Sequence, residues 1–220
     1  MHYIYTDTTL PAIGKLSAIL IDQLTAGKKV LWLLSGGSGG KVSLEAAKNL
    51  KGLDLKNLFV TLSDERYGPL GHANENWQIL LDGGLELEGA TLYRPLTGED
   101  RDVTTEHFDT WLKDTLVGVN SVVGIFGVGP DGHTAGIKPH SSAIDSPALA
   151  ASYTGEDFER ITITPAFITH VDEAVVQIFG SEKHTVVEQL LNETIPITEQ
   201  PAQALKYLSR VTLYTDYKEK

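Results

Sequence analysis

Two stretches, Val30-Leu31-Trp32-Leu33-Leu34 and the run 121–128 (SVVGIFGV), are apolar at nearly every position instead of at every second one. A strand with one wet face alternates polar and apolar residues, whereas a short continuous apolar run reads as a strand buried on both faces. Such strands belong in a sheet covered by helices on both sides, because a parallel crossover carries a helix. Further β-rich runs lie at 58–62, 160–164, 174–180 and 211–214. Helical spacing lies between several of them. Ile13, Leu16, Leu20 and Leu24 recur at intervals of three and four before Gly27. Leu44, Ala47 and Leu50 mark a second helix, Phe108, Leu112 and Leu116 a third, and Val186, Val187, Leu190 and Leu191 a fourth. The expected fold class is therefore α/β, with a mostly parallel, Rossmann-like sheet and helices on both faces. No repeat or linker divides the chain, so residues 1–220 are expected to form one domain. In open sheets of this kind ligands bind beyond the carboxyl ends of the strands.

Composition narrows the function. With 18 basic and 29 acidic residues the net charge is −11. That balance argues against nucleic acid or an anionic membrane as partner, and a phosphate would have to be held by local donors. The absence of cysteine excludes disulfides, thiolate chemistry and Cys-based zinc sites. The seven histidines show no tight metal spacing, so no metal is expected. The start, MHYIYTDTTL, lacks a basic segment followed by an apolar run, and no stretch approaches the ~20 apolar residues of a membrane span. A cytoplasmic protein is expected. Nothing in the sequence indicates an oligomeric state.

Three loops that follow strands carry the chemistry. Ser35-Gly36-Gly37-Ser38-Gly39-Gly40 stands between VLWLL and a helix. Glycines let backbone N–H groups approach an anion, and a helix N-terminus adds a favourable dipole. The bland alternative is a flexible turn. The loop is no Walker A motif, since Ser35 stands six residues before Lys41 and Val42 follows it. In Ser63-Asp64-Glu65-Arg66, Asp64 or Glu65 can orient a base or bind hydroxyls, and Arg66 can pair with phosphate. A surface ion-pair cluster is the competing reading. The third loop, 127–136 (GVGPDGHTAG), holds four glycines, Asp131 and His133. A histidine titrates near neutrality and serves as a general base. Gly127, Gly129 and Gly132 satisfy G-x-G-x-x-G, but Pro130 interrupts the pattern and no long helix clearly begins there.

LSGGS at 34–38, SDER at 63–66, GVGPDGHTAG at 127–136 and RITIT at 160–164, in that order, resemble the family containing 6-phosphogluconolactonases and glucosamine-6-phosphate deaminases. Gly180-Ser181-Glu182-Lys183 is similar to that family's late lysine motif, and Asn74-Glu75-Asn76-Trp77 to its Ser-Asn segment. The resemblance runs from about residue 30 to 190. The deaminase branch typically reads DGHIAFNEP, with a glutamate five residues after the histidine in a proton relay. That position here is Lys138, which together with Arg66 and Thr134 favours the lactonase branch. Two places depart from the family pattern: Gly39-Gly40 replaces Thr-Pro, and Gly136-Ile137-Lys138-Pro139 replaces Ser-Leu-Phe-Pro.

The resemblance implies a phosphorylated sugar lactone as substrate, hydrolysed without metal or organic cofactor in a step of the oxidative pentose phosphate pathway. His133 would then be the base, with Asp131 and Asp64 beside it in the catalytic set. Ser35, Gly36, Gly37 and Ser38 would hold the phosphate, with charge from Arg66, Arg160 or Lys183. Three rivals stay open: a glucosamine-6-phosphate deaminase/isomerase, a dinucleotide-dependent oxidoreductase resting on the glycine pattern, and a non-catalytic sugar-phosphate-binding protein.

Overall fold

The computed structural model describes residues 1–219. In chain order the elements are β1 (His2–Tyr5), α1 (Leu10–Thr25), β2 (Val30–Leu34), α2 (Gly37–Asn49), β3 (Leu58–Leu62), β4 (Asp64–Arg66), α3 (Asn76–Asp82) and β5 (Thr91–Leu92). Then come α4 (Arg101–Gly118), β6 (Ser121–Gly127), β7 (Ala150–Thr154), β8 (Glu159–Ile163), α5 (Pro165–Ile168), β9 (Glu173–Ile178), α6 (His184–Asn192) and β10 (Arg210–Thr215). Short 3-10 segments cover Ser181–Lys183 and Pro201–Tyr207.

Seven strands form one sheet in the order β1-β10-β9-β6-β2-β3-β5, and every pairing in it is parallel. Both faces are covered. Val30, Trp32 and Leu34 of β2 pack with Leu16 and Leu20 of α1 and Val42 and Ala46 of α2. Leu31 and Leu33 pack on the other side with Phe108 and Leu112 of α4, Val186 and Val187 of α6, and Phe126 and Phe167. This two-sided burial is why VLWLL does not alternate. Among the described residues no helix is long and apolar enough to cross a membrane.

One expected strand lies elsewhere. The run at 160–164 is β8, and it joins a separate three-stranded antiparallel sheet in the order β4-β8-β7. Its Ile161 and Ile163 enter the core beside α4 and α6, while Arg160 pairs opposite Arg66. This small sheet caps the carboxyl end of the large one, because Ser63 leads directly from β3 into β4.

The chain leaves β2 toward β3 on one side, and later elements build outward from β6 on the other. The carboxyl ends of the neighbours β2 and β6 thus flank a topological switch point, where open α/β sheets form their binding crevice.

Candidate active site

A cleft of about 220 Å³ opens at that switch point. Ser35, Gly36, Gly37 and Ser38 line one wall, and the 127–136 loop lines another through Gly129, His133 and Gly136. Asp64 and Arg66 enter from β4, Arg160 from β8, and Lys183 from the turn before α6. Of the sequence candidates only Asp131 does not line the cleft, and it contacts a residue that does.

The first wall is the entry to a helix. Gly36 caps α2 with extended backbone, and Gly37 and Ser38 stand in its first turn. N–H groups there have no partner within the helix and face outward along its dipole. Asn76, the first residue of α3, lies directly over Gly36: a Cβ on Gly36 would sit 2.2 Å from Asn76 Oδ1. Asn76 Nδ2 donates to the Asp64 carbonyl at 3.0 Å, whereas its buried Oδ1 has no hydrogen-bond partner among the described residues. That buried oxygen packs directly on Gly36 and so fixes the position of the loop that Gly36 opens. In the sequence this segment resembles a family motif, but nothing there marks Asn76 for a role. Its packing on Gly36 is seen only in the structure.

The second wall is a knot of turns. Val128 bridges Thr134, and Thr134 bridges Ile137. Gly129 N–H donates to the His133 carbonyl at 3.0 Å, Gly132 N–H to the Gly129 carbonyl at 2.9 Å, and Thr134 Oγ1 to the Gly127 carbonyl at 2.9 Å. No helix opens after β6, and β7 is the next regular element. The strand–glycine–helix context of a dinucleotide fingerprint is therefore absent from these residues. The His133 ring is packed over Gly129, where a Cβ would sit 2.2 Å from Nδ1. Nδ1 meets Asp131 Oδ1 at 2.5 Å, and the His133 backbone N–H donates to the same oxygen at 3.2 Å. A carboxylate only accepts, so Nδ1 carries a proton, and in the neutral ring Nε2 is the atom with the lone pair. Burial works to raise the Asp131 carboxyl. The hydrogen bond and charge of His133, with a further bond from Lys138, outweigh it and hold the group well below the usual carboxylate range.

The four remaining candidates differ. Asp64 is nearly buried and packs against Gly136 of the histidine loop. Arg66 lies over the Phe158 ring at 5.2 Å and donates one bond to the Asn74 carbonyl at 3.2 Å, with no carboxylate partner among the described residues. Lys183 likewise lines the cleft outside the ion pairs seen among those residues. Arg160 instead forms a bidentate pair with Asp157, at 2.6 and 3.0 Å. That hydrogen bond raises Arg160 and holds Asp157 well below the usual carboxylate range. Arg160 thus lends the cleft a neutralised wall, while Arg66 and Lys183 offer free charge.

Glu65, next to Asp64, turns away from the cleft. It is fully buried and accepts from the N–H groups of Arg66, Asn76 and Trp77 at 2.7, 2.7 and 2.9 Å. Burial pushes its carboxyl up to about 8, against the pull of these three donors. It anchors the start of α3 and so the position of Asn76. Among the described residues no group of three or more His, Cys, Asp and Glu is placed to hold a metal ion.

The family model for glucosamine-6-phosphate isomerases/6-phosphogluconolactonase matches residues 10–213 of the chain. The 6-phosphogluconolactonase of Neisseria meningitidis serogroup A is 32% identical over 164 residues, which cover 69% of this chain and 71% of that protein. The 6-phosphogluconolactonase of Haemophilus influenzae is 26% identical over 221 residues, covering 94% and 91%. The crystal structure of a 6-phosphogluconolactonase from Shewanella baltica shares the fold with a TM-score of 0.82 at 21% identity, over 98% and 97% of the two chains. A monomeric glucosamine-6-phosphate deaminase shares it with a TM-score of 0.79 at 18% identity, over 98% and 97%.

Proposed function

The chain belongs to the glucosamine-6-phosphate isomerase/6-phosphogluconolactonase family, and from that premise we propose that it is a single-domain enzyme that hydrolyses 6-phosphogluconolactone to 6-phosphogluconate. The observation that carries this reading is the His133–Asp131 hydrogen bond, which engages Nδ1 and leaves Nε2 without a partner among the described residues, on a ring that lines the cleft with the SGGS helix entry.

In this reading the phosphate sits on the N–H groups of Gly37 and Ser38 and on the Ser35 and Ser38 hydroxyls, with Arg66 and Lys183 supplying charge. Asp64 holds ring hydroxyls, and Asn76 supports the phosphate loop where it packs on Gly36. His133 Nε2 takes a proton from water as the water oxygen bonds to the lactone carbonyl carbon. Backbone N–H groups of the 127–136 loop stabilise the oxyanion of the tetrahedral intermediate. As the bond to the ring oxygen breaks, His133 returns the proton to that oxygen, and the open-chain acid leaves. Asp131 holds the imidazole tautomer and balances the transient imidazolium. General-base assistance of this kind contributes ~10²–10⁴-fold.

The deaminase reading is disfavoured by one residue. The position that carries a relay glutamate in that branch is Lys138, whose ammonium is bound to Asp131.

The test is an assay on freshly made 6-phosphogluconolactone, corrected for spontaneous hydrolysis, with wild type and His133→Ala. Wild type should accelerate ring opening, and His133→Ala should lower kcat by at least ~10²-fold while remaining folded. A folded variant with near-normal turnover would remove His133 from the mechanism. Release of ammonia from glucosamine 6-phosphate would move the protein to the other branch.

A further inference from the structure

Asp131 uses both of its oxygens. Oδ1 takes the His133 ring at 2.5 Å, and Oδ2 takes the Lys138 ammonium at 3.0 Å. Lys138 is not a loose surface lysine that happens to fall there. Its backbone N–H donates to the Tyr153 hydroxyl at 3.3 Å, that hydroxyl donates to the Gly136 carbonyl, and Tyr153 is buried in β7. The Ile137 N–H closes a turn onto the Thr134 carbonyl at 2.8 Å, with Ala135 at a φ of +50°. This curl returns residue 138 over residue 131.

We propose that Lys138 is a positioning residue of the hydrolytic site: by sharing the Asp131 carboxylate with His133, it keeps the imidazole unprotonated at lower pH and aimed into the cleft. The proposal rests on the lactonase reading for its kinetic consequence, but not for its electrostatic one. Protonating His133 beside Lys138 places two cations on one carboxylate. Without Lys138 the imidazolium would have that carboxylate to itself and would persist to higher pH. The ammonium also pins Oδ2, which leaves Oδ1 facing Nδ1 and Nε2 facing the cleft. The other charged groups that line the cleft with His133 are Asp64 and Arg66 on β4, Arg160 on β8 and Lys183 before α6. They are unchanged when Lys138 alone is replaced, so a shift seen on replacement is due to Lys138.

The experiment compares wild type with Lys138→Met, Lys138→Gln and Lys138→Arg. A unit charge one carboxylate away in partly solvated surroundings moves a titration by roughly 0.5–1.5 pH units. The acid limb of kcat/KM should therefore move upward by about that amount in the Met and Gln variants, a ~3- to 30-fold loss on its acid side. Lys138→Arg should restore the wild-type limb. The same upward shift should appear in the NMR titration of the His133 ring without substrate, with its signal identified by its loss in His133→Asn. That readout needs no turnover. Absence of lactonase activity in wild type would overturn the proposed function, whereas an unmoved or downward-moved ring titration would overturn the role of Lys138. A rise in KM with the limb and ring titration unmoved would also overturn it, making Lys138 a substrate contact instead. The Gln variant carries the same expectation should the Met variant fold poorly.

Discussion

The glycine loops after β2 and β6 leave neighbouring strands and face one cleft, yet they are built on opposite principles. The first runs straight into a helix, so the N–H groups of Gly37 and Ser38 have no partner among the described residues and its charge is the partial positive end of α2. The second never becomes helical. The N–H groups of Gly129, Gly132 and His133 and the Thr134 hydroxyl are bonded within the loop, and the side chains of Asp131 and His133 are locked to one another. In each, a polar side chain that lines the cleft lies on a glycine, Asn76 over Gly36 and His133 over Gly129. An anion site needs donors left open, whereas a base needs a ring that cannot turn away. Glycine serves the first by exposing backbone and the second by making room for a side chain.

The largest expected effect comes from removing what the first loop holds. Charged hydrogen bonds contribute about 1.5–3 kcal/mol each, and about 1.4 kcal/mol corresponds to tenfold. A substrate without the phosphate forgoes at least three such bonds, so unphosphorylated gluconolactone should be turned over at least ~10³-fold less efficiently than the 6-phosphate. If the phosphate also aligns the ring over His133, part of this loss falls in kcat. Lys183→Ala should narrow the gap by harming the phosphorylated substrate more. Equal kcat/KM on the two lactones would abolish the division of labour and point to a broad esterase.

A smaller effect should separate the loops directly. Gly36 has an extended backbone that any residue adopts, so Gly36→Ala is obstructed only by Asn76, with Oδ1 2.2 Å from the new Cβ. Gly129→Ala is obstructed by His133 and Asp131, at 2.2 and 2.7 Å. A misplacement of ~1 Å at a reacting group costs up to ~10²-fold. Gly129→Ala should thus lower kcat by about 10- to 100-fold with KM changed little. Gly36→Ala should act chiefly on KM, by about 3- to 10-fold, since it disturbs ligand contacts and not the base. Steady-state kinetics on folded variants decides, and the reverse pattern would exchange the roles of the two loops.

Much of this was legible in the sequence, for particular reasons. The central strands announced themselves because two-faced burial leaves no polar position, and the helices because their apolar residues recur at three and four. The run at 160–164 alternates Arg160 and Thr162 with Ile161 and Ile163, yet both sets are buried, the polar pair by bonds to Asp157 and to the Ala135 carbonyl that no local pattern announces. β1 and β5 are four and two residues long with exposed or half-exposed positions, too little for any periodic signal. All ten expected site residues lie in or against the cleft, because the fold directs strand-end loops to one place. What the sequence did not show is pairing across loops. Nothing in the spacing of Asp131 and Lys138 says that the chain curls back between them. Nor does a Glu65 flanked by charges announce that it faces a helix start while Asp64 faces the cleft.

The smallest effect concerns acid stability, and it too should divide the two loops. The first loop has no titratable side chain from Ser35 to Gly40, whereas the second depends on an ionised Asp131. A carboxyl held below its ordinary range binds fewer protons folded than unfolded. It therefore contributes stability above the unfolded value of about 3.9, and that contribution is lost as pH falls. Asp131→Asn removes the contribution at all pH values. The variant should be less stable than wild type at pH 7, with the difference shrinking as pH drops below about 4. The Asp131 side chain is 38% exposed, so solvent screening keeps the effect to ~0.5–1 kcal/mol, the scale of surface pairs and not of buried ones. Urea denaturation at pH 7 and at about pH 3 on wild type, Asp131→Asn and Ser38→Ala measures it. Ser38→Ala should keep the wild-type difference between the two pH values. A pH-independent deficit in Asp131→Asn would mean that the carboxylate orients the ring without stabilising the fold. A flattened response in Ser38→Ala would mean that the helix entry, too, is coupled to an ionised group.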